Sequence, residues 1–523
     1  MILLRSIATV GGMTMVSRAF GFLRDILIAA LLGAGMMADA FFIAFKLPNL
    51  FRRLFAEGAF SAAFVPIFAG LVEDEGKAAA RAFADQALSV LLWFLLVLVV
   101  AFELAMPWIM LGFAPGFADE PEKFALTVEL TRITFPYLLF ISLVSLMAGV
   151  LNSLGRFAAA AATPILLNLC LIGAIVGLSG VLGSPAHALA WGVFGAGVAQ
   201  LLWMLFFCLR ADMPLRVRLP RMTPMVRRLI RRIVPVALGA GVYQVNLVID
   251  MVIASLLPSG SVSFLFFADR INQLPLGVIG VAVGTALLPL LTRQLHAGDA
   301  AAAMHSQNRA LEVSLLLTVP AAAALAIIAE PVTAVLFGRG AFAATDVAAT
   351  AAALAAYAYG LPAYVLIKTL TPGYFAREDT KTPVVISVIC LAVNLVLNLI
   401  LMGPFLHVGI AIATAVSAWL NAGLLAIMLR RRGHLILDGR FKSRFVRMSL
   451  AVAGMIVALM VGQAPLARLL AGGEIERILA LGCLIGLGFA VFAALAWAFG
   501  AARPADLKSL LGRRKTETPP SVT

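Results

Sequence analysis

The chain has 523 residues, 62% of them hydrophobic and 13% charged, with a mean hydropathy of +1.02. Apolar segments recur along its whole length, which excludes a soluble globular protein, a soluble domain on one anchor and any long disordered region, and leaves an all-α polytopic membrane protein. The formal charge of +14, from 40 Lys and Arg against 26 Asp and Glu, would suggest nucleic acid in a soluble chain; here no nucleic-acid partner is expected, and the placing of the cations matters more than their sum.

A window of about 19 residues and about 20 apolar residues per crossing predicts about fourteen transmembrane helices. In chain order they run near 7–33, 36–68, 83–111, 128–151, 158–180, 187–209, 233–257, 262–292, 309–336, 347–375, 383–403, 407–430, 445–465 and 476–500. The second, eighth and tenth are long and hold Pro48, Pro275 and Pro362, so kinked or broken helices are expected there. The N-terminal stretch is interrupted by Arg18, Arg24 and Asp25 and lacks a convincing small-residue cleavage site, so the first helix is read as retained. Cys170, Cys208, Cys390 and Cys483 each sit in an apolar run, none at metal-ligand or redox spacing, and read as packing residues.

Lys and Arg concentrate after the even-numbered helices: eight arginines between Arg210 and Arg232, and seven cations between Arg430 and Arg447. The odd loops are poor in them, 112–127 holding only Lys123. This alternation places both termini in the cytoplasm. A basic loop touching anionic membrane lipid is the alternative reading of the same residues.

An internal repeat is visible at an offset of about 225 residues. Leu31-Leu32-Gly33-Ala34-Gly35, Phe41-Phe42 and Lys46-Leu47-Pro48 resemble Leu256-Leu257-Pro258-Ser259-Gly260, Phe266-Phe267 and Gln273-Leu274-Pro275. Six helices separate the copies, so they share one orientation and predict two pseudo-equivalent six-helix bundles with a site between them. The expected organisation is an N-terminal lobe 1–210, a basic linker 211–232, a C-terminal lobe 233–430, two additional helices within 431–500 and a tail 501–523.

Ionisable residues inside apolar spans carry the functional signal, since each costs at least ~2.5–3.5 kcal/mol near the bilayer centre unless it faces a wet cavity or a partner. In the first helix Arg18 and Asp25 share one stripe and Ser17 and Arg24 the adjacent one, at about 100° per residue, with Gly21 between them. The second helix holds Asp39, Lys46, Asn49, Arg52, Arg53 and Glu57; the eighth holds Ser261, Ser263, Asp269 and Arg270. Across the three, Arg18, Arg24, Lys46, Arg52, Arg53 and Arg270 outnumber Asp25, Asp39, Glu57 and Asp269 by two. The cavity should therefore favour anions, and the planar guanidinium suits phosphate or carboxylate. The alternative is structural ion pairing, with Lys46, Arg52 and Arg53 snorkelling to an interface. Lys368 is lone and open to either reading. Asn246, Asp250, Asn394, Asn398 and Thr414 form a second polar set that would supply oxygens to Na⁺ or hydrogen-bond between helices. There is no Walker loop, HExxH pair, paired-Cys motif or nucleophile elbow, and the five His form no cluster, so an enzyme is not expected.

The most specific stretches are Ser17-Arg18-x-x-Gly21-x-x-Arg24-Asp25; Asp39-Ala40-Phe41-Phe42 through Lys46-Leu47-Pro48-Asn49-Leu50 to Arg52-Arg53 and Phe55-Ala56-Glu57-Gly58; Ser259 to Ser263 with Ala268-Asp269-Arg270; and Pro372-Gly373 to Thr380-Lys381-Thr382-Pro383. They resemble the MurJ (MviN) lipid II flippases of the multidrug/oligosaccharidyl-lipid/polysaccharide exporter superfamily, over nearly the whole chain. The resemblance implies two six-helix lobes around a central cationic cavity, with the last two helices forming a groove for a polyprenyl tail. It also implies lipid II as the substrate, moved to the periplasmic leaflet of the bacterial inner membrane. By matching position, Arg18, Arg24, Arg52 and Arg270 would bind the pyrophosphate, and Asp25, Asp39, Asn49 and Ser263 would line or gate the cavity. A sodium site in some relatives fits Asp250, Asn394, Asn398 and Thr414; no other cofactor is implied. Gln273 departs from the Glu often found there. Export of another polyprenyl-linked oligosaccharide or of drugs, and a non-transporting scaffold for cell-wall synthesis proteins, are the alternatives.

Overall fold

The computed structural model describes residues 2–55 and 59–501. Every regular element among them is helical. The chain forms α1 (Ile2–Leu32), α2 (Met36–Phe55), α3 (Ala59–Asp74), α4 (Gly76–Phe113), a 3-10 turn (Pro115–Asp119), α5 (Pro121–Thr134), α6 (Tyr137–Ser153), α7 (Phe157–Gly177) and α8 (Pro185–Arg210). After a long extended segment come α9 (Pro224–Ser255), α10 (Ser261–His296), α11 (Ala300–Ile327), α12 (Ala329–Phe337), α13 (Ala344–Phe375), α14 (Lys381–Arg431), α15 (Gly439–Leu470) and α16 (Glu474–Ala498). Local signals set several of the starts: Ser184, Thr223, Asp299 and Asp438 accept a backbone N–H three residues on as N-caps of α8, α9, α11 and α15, and Pro185 and Pro224 fill the first helical position.

Nine helical segments among the described residues are long and apolar enough to cross a membrane, with α5 and α6 together forming one of them. The all-helical membrane architecture expected from composition holds. Gln244–Ser255 of α9 is a further, shorter apolar helix among the described residues, and the in-span charges Arg18, Arg24, Asp25, Asp39, Lys46, Asp250, Asp269 and Arg270 lie on α1, α2, α9 and α10. The 51-residue α14 is interrupted at Leu406 (φ 51°, ψ −134°), which separates the two crossings read at 383–403 and 407–430. Large apolar side chains such as Leu104, Trp108, Phe489 and Trp497 are more than two-thirds exposed, as a lipid-facing surface requires. Pro48, Pro275 and Pro362 lie inside continuous helices.

Contacts divide the chain into two compact units. The first comprises Met1–Phe267, Leu336–Thr350 and Leu395–Ile410. In it α7 packs on α1 and α8, α6 on α8 and α3, and α5 on α2. The repeated phenylalanines meet here: Phe42 stacks on Phe266 with ring centroids 3.9 Å apart and meets Phe267 edge-on at 5.5 Å. Helices α2 and α10 begin at Met36 and Ser261, which is the offset of the sequence repeat. The extended basic segment after α8 is pinned to α4, where Asp85, Ser89 and Gln86 accept the backbone N–H groups of Arg216, Arg218 and Arg221.

The second unit comprises Ala268–Val335, Ala351–Asn394 and Ala411–Thr523. Helices α15 and α16 pack together, and α15 also lies on α11. Charge holds that contact: Glu312 of α11 is paired with Arg309 of its own helix and with Arg440 and Arg444 of α15, while Asp438 pairs with Arg309.

Candidate anion site

The first polar wedge is built by α1 and α7. Arg24 is 6% exposed and Asp25 fully buried. Both Nε and Nη2 of Arg24 donate to Oδ1 of Asp25, at 2.9 and 2.6 Å. Nη1 donates to Oδ1 of Asn168 on α7 at 3.0 Å, and the Asn168 amide nitrogen donates back to the Ser17 carbonyl at 3.0 Å. Gly21 lies opposite, where an added Cβ would stand 3.4 Å from the Asn168 amide nitrogen. Ser17 is half-buried and Arg18 exposed. Thus the two arginines read together from sequence differ: one is held by a carboxylate and an amide inside the helix pair, the other is open.

On α2 burial falls along the helix. Asp39 is buried, Lys46, Asn49 and Arg52 are half-buried and Arg53 is exposed. Asn49 donates to the Phe45 carbonyl and accepts from Nε of Arg52 at 3.1 Å, so Asn49 orients Arg52 one turn away. Glu57 lies outside the described residues. Asp39 takes its charge partner from α5: Lys123, fully buried, places Nζ 3.2 Å from the carboxylate. Its oxygens also accept the N–H of Gly260 at 2.7 Å, the N–H of Ser263 at 2.9 Å and the Ser263 hydroxyl at 2.6 Å. Asp39 therefore satisfies the N-terminal donors of α10 from another helix, where a negative charge is favoured. Sequence reasoning found Asp39 and Ser263 but treated Lys123 as a loop cation.

In the second unit, Asp269 and Arg270 are half-buried on α10, and the Gln273 amide donates to Asp269 one turn on. An ionised Glu at this position has no N–H to give, which is what the departure at 273 changes. Lys368 is exposed. Of the second polar set, Asp250 and Asn398 meet: the Asn398 amide nitrogen donates to Asp250 Oδ1 at 2.8 Å. Asn394 and Thr414 belong to the other unit. No group of three or more His, Cys, Asp or Glu side chains suited to a metal occurs among the described residues.

The family model for lipid II flippase MurJ matches residues 28–482. The chain belongs to the lipid II flippase MurJ family. A probable lipid II flippase MurJ of Rhizobium meliloti (strain 1021) is 46% identical over 509 residues, spanning 96% of this chain and 95% of the relative. Its counterpart in Rhizobium tropici is 44% identical over 527 residues, with 98% of each covered. A solved lipid II flippase MurJ in an inward closed conformation superposes with a TM-score of 0.78 at 24% identity, over 96% of this chain and 99% of that one. An inward-facing multidrug resistance MATE transporter of the MOP superfamily reaches 0.64 at 14% identity, over 80% and 94%; these structures share the fold. The MurJ match begins four residues beyond Arg24 and runs into α16, taking in the α2, α10 and α7 groups described above.

Proposed function

We propose that this chain is a lipid II flippase of the bacterial inner membrane, carrying the undecaprenyl-pyrophosphate-linked precursor from the cytoplasmic to the periplasmic leaflet, and that it is a transporter rather than an enzyme. The observation that carries this reading is the match to the MurJ family over residues 28–482. Physical chemistry supplies the reason for its charges. Such a substrate leaves its tail in lipid while a large anionic head crosses, so the path must be wet, cationic and open sideways to the bilayer. Arg18, Arg24, Arg52 and Arg270 would meet the diphosphate by charge-assisted, bidentate hydrogen bonds. Arg24 is paired with Asp25 in the state described; for the diphosphate to take that place at the guanidinium, the buried Asp25 carboxylate must gain water or another donor as the site opens, since a buried charge left alone is costly.

Alternating exposure of this site to the two leaflets, with both termini in the cytoplasm as the basic even loops suggest, completes the proposal. Sodium coupling through Asp250 and Asn398, with Asn394 and Thr414, rests on spacing and on the Asp250–Asn398 hydrogen bond. The test is leaflet accessibility of lipid II in cells whose only flippase is this chain: export supports the reading, and accumulation in the cytoplasmic leaflet contradicts it. Loss of sodium dependence in Asp250→Ala supports coupling; a parent indifferent to sodium ends it.

A further inference from the structure

Arg24 is gripped from two sides by groups of different kinds. Asp25, adjacent in the chain, engages Nε and Nη2, while Asn168 on another helix engages Nη1. Asn168 is itself 6% exposed and anchored by its second donor, the amide N–H to the Ser17 carbonyl. One side chain thus ties α7 to two points of α1 a little under two turns apart, across the small Gly21. An amide is the group suited to this place. It accepts from the guanidinium without adding charge, and it donates to a helix carbonyl, which a carboxylate does not do. A second carboxylate at the same distance would favour the paired form of Arg24 and oppose an incoming anion; an apolar residue would leave Nη1 without this acceptor and release the plane of the guanidinium.

We propose that Asn168 is a positioning residue for substrate: it fixes the Arg24 guanidinium so that the diphosphate displaces Asp25 without reorienting it. This rests on the assignment of Arg24 to the anion site. Preorganised donors gain affinity because the ordering cost is met before binding, so the effect belongs in substrate affinity and must act through Arg24.

The test is a double-mutant cycle on full-length protein in liposomes, reading lipid II flipping against substrate density, with thermal unfolding as a check of folding. Asn168→Ala should raise the half-saturating lipid II density about tenfold, the order expected of losing ~1.4 kcal/mol, with the maximal rate within about twofold of the parent. It should add nothing in an Arg24→Ala background. Should Asn168→Ala fail to fold, Asn168→Ser provides the same reading, since it keeps a small polar, uncharged side chain but is too short to hold both Arg24 and the Ser17 carbonyl; it should also raise the half-saturating density and likewise be silent without Arg24. Losses that add in the Arg24→Ala background, or a fall in maximal rate at unchanged half-saturation, would overturn the positioning role. An Arg24→Ala protein that flips lipid II like the parent would instead overturn the underlying anion-site reading.

Discussion

Asp39 meets four donors from three residues: the Lys123 ammonium, the backbone N–H groups of Gly260 and Ser263, and the Ser263 hydroxyl. With Lys123 and Asp39 both buried, removing one partner strands the other charge. Lys123→Met should cost about 3–5 kcal/mol, seen as a lower unfolding midpoint in detergent, and the double variant Asp39→Asn/Lys123→Met should recover most of it; an unchanged midpoint in the single variant would contradict this. In the connection between α13 and α14, Asp379 accepts from the Thr382 side chain and backbone N–H and pairs with Arg432, holding its carboxyl at about 2. A carboxyl lowered in the folded state adds stability above its unfolded value of about 3.9, and that stability is lost as pH falls through about 2. Asp379→Asn should therefore destabilise the protein at neutral pH, and the gap from the parent should close between about pH 4 and pH 2; a gap independent of pH would refute it. The Asp39 carboxylate was visible in the sequence, but Lys123 stands 84 residues from it. A cation in a connecting loop has the same local pattern whether it is solvated or drawn inside.

Helix ends follow local chemistry closely, and helix breaks do so less. Pro136 separates α5 from α6, and α14 breaks two residues after Pro404, whereas Pro48, Pro275 and Pro362 are carried through. A proline in a membrane helix frees only one or two backbone groups, which neighbouring helices can satisfy, so sequence shows where a break is permitted rather than where packing requires one. A firmer element-level signal is the meeting of two glycines in the left-handed region. Gly33 (φ 69°) ends α1 and Gly340 (φ 59°) sits in the turn before α13; an added Cβ would stand 2.6 Å from the Ala341 carbonyl oxygen at the first and 2.2 Å from that of Ala30 at the second. The Ala341 N–H donates to the same Ala30 oxygen at 2.8 Å. Gly340→Ala should thus lose this hydrogen bond and carry a backbone cost of about 1–3 kcal/mol, with faster amide exchange at Ala341; parent-like exchange and stability would contradict the argument.

For the whole molecule, composition alone placed the chain in lipid, because no soluble core accounts for a mean hydropathy of +1.02. The repeat was legible through its phenylalanines and glycines, and Phe42 and Phe266 turn out to pack on each other. The site was legible only as a set of in-span charges. Their grouping was not, since the partner of Arg24 on α7 is a single amide 144 residues away in an apolar run, and hydropathy assigns such a residue to packing. The account as a whole depends on arginines kept in apolar helices for a passing diphosphate. The measurement closest to that claim is flipping of lipid II by purified protein in liposomes, comparing the parent with Arg24→Ala and Arg270→Ala. The account predicts transport by the parent and at least a tenfold loss in each folded variant; variants that fold and flip lipid II at the parent rate would contradict it.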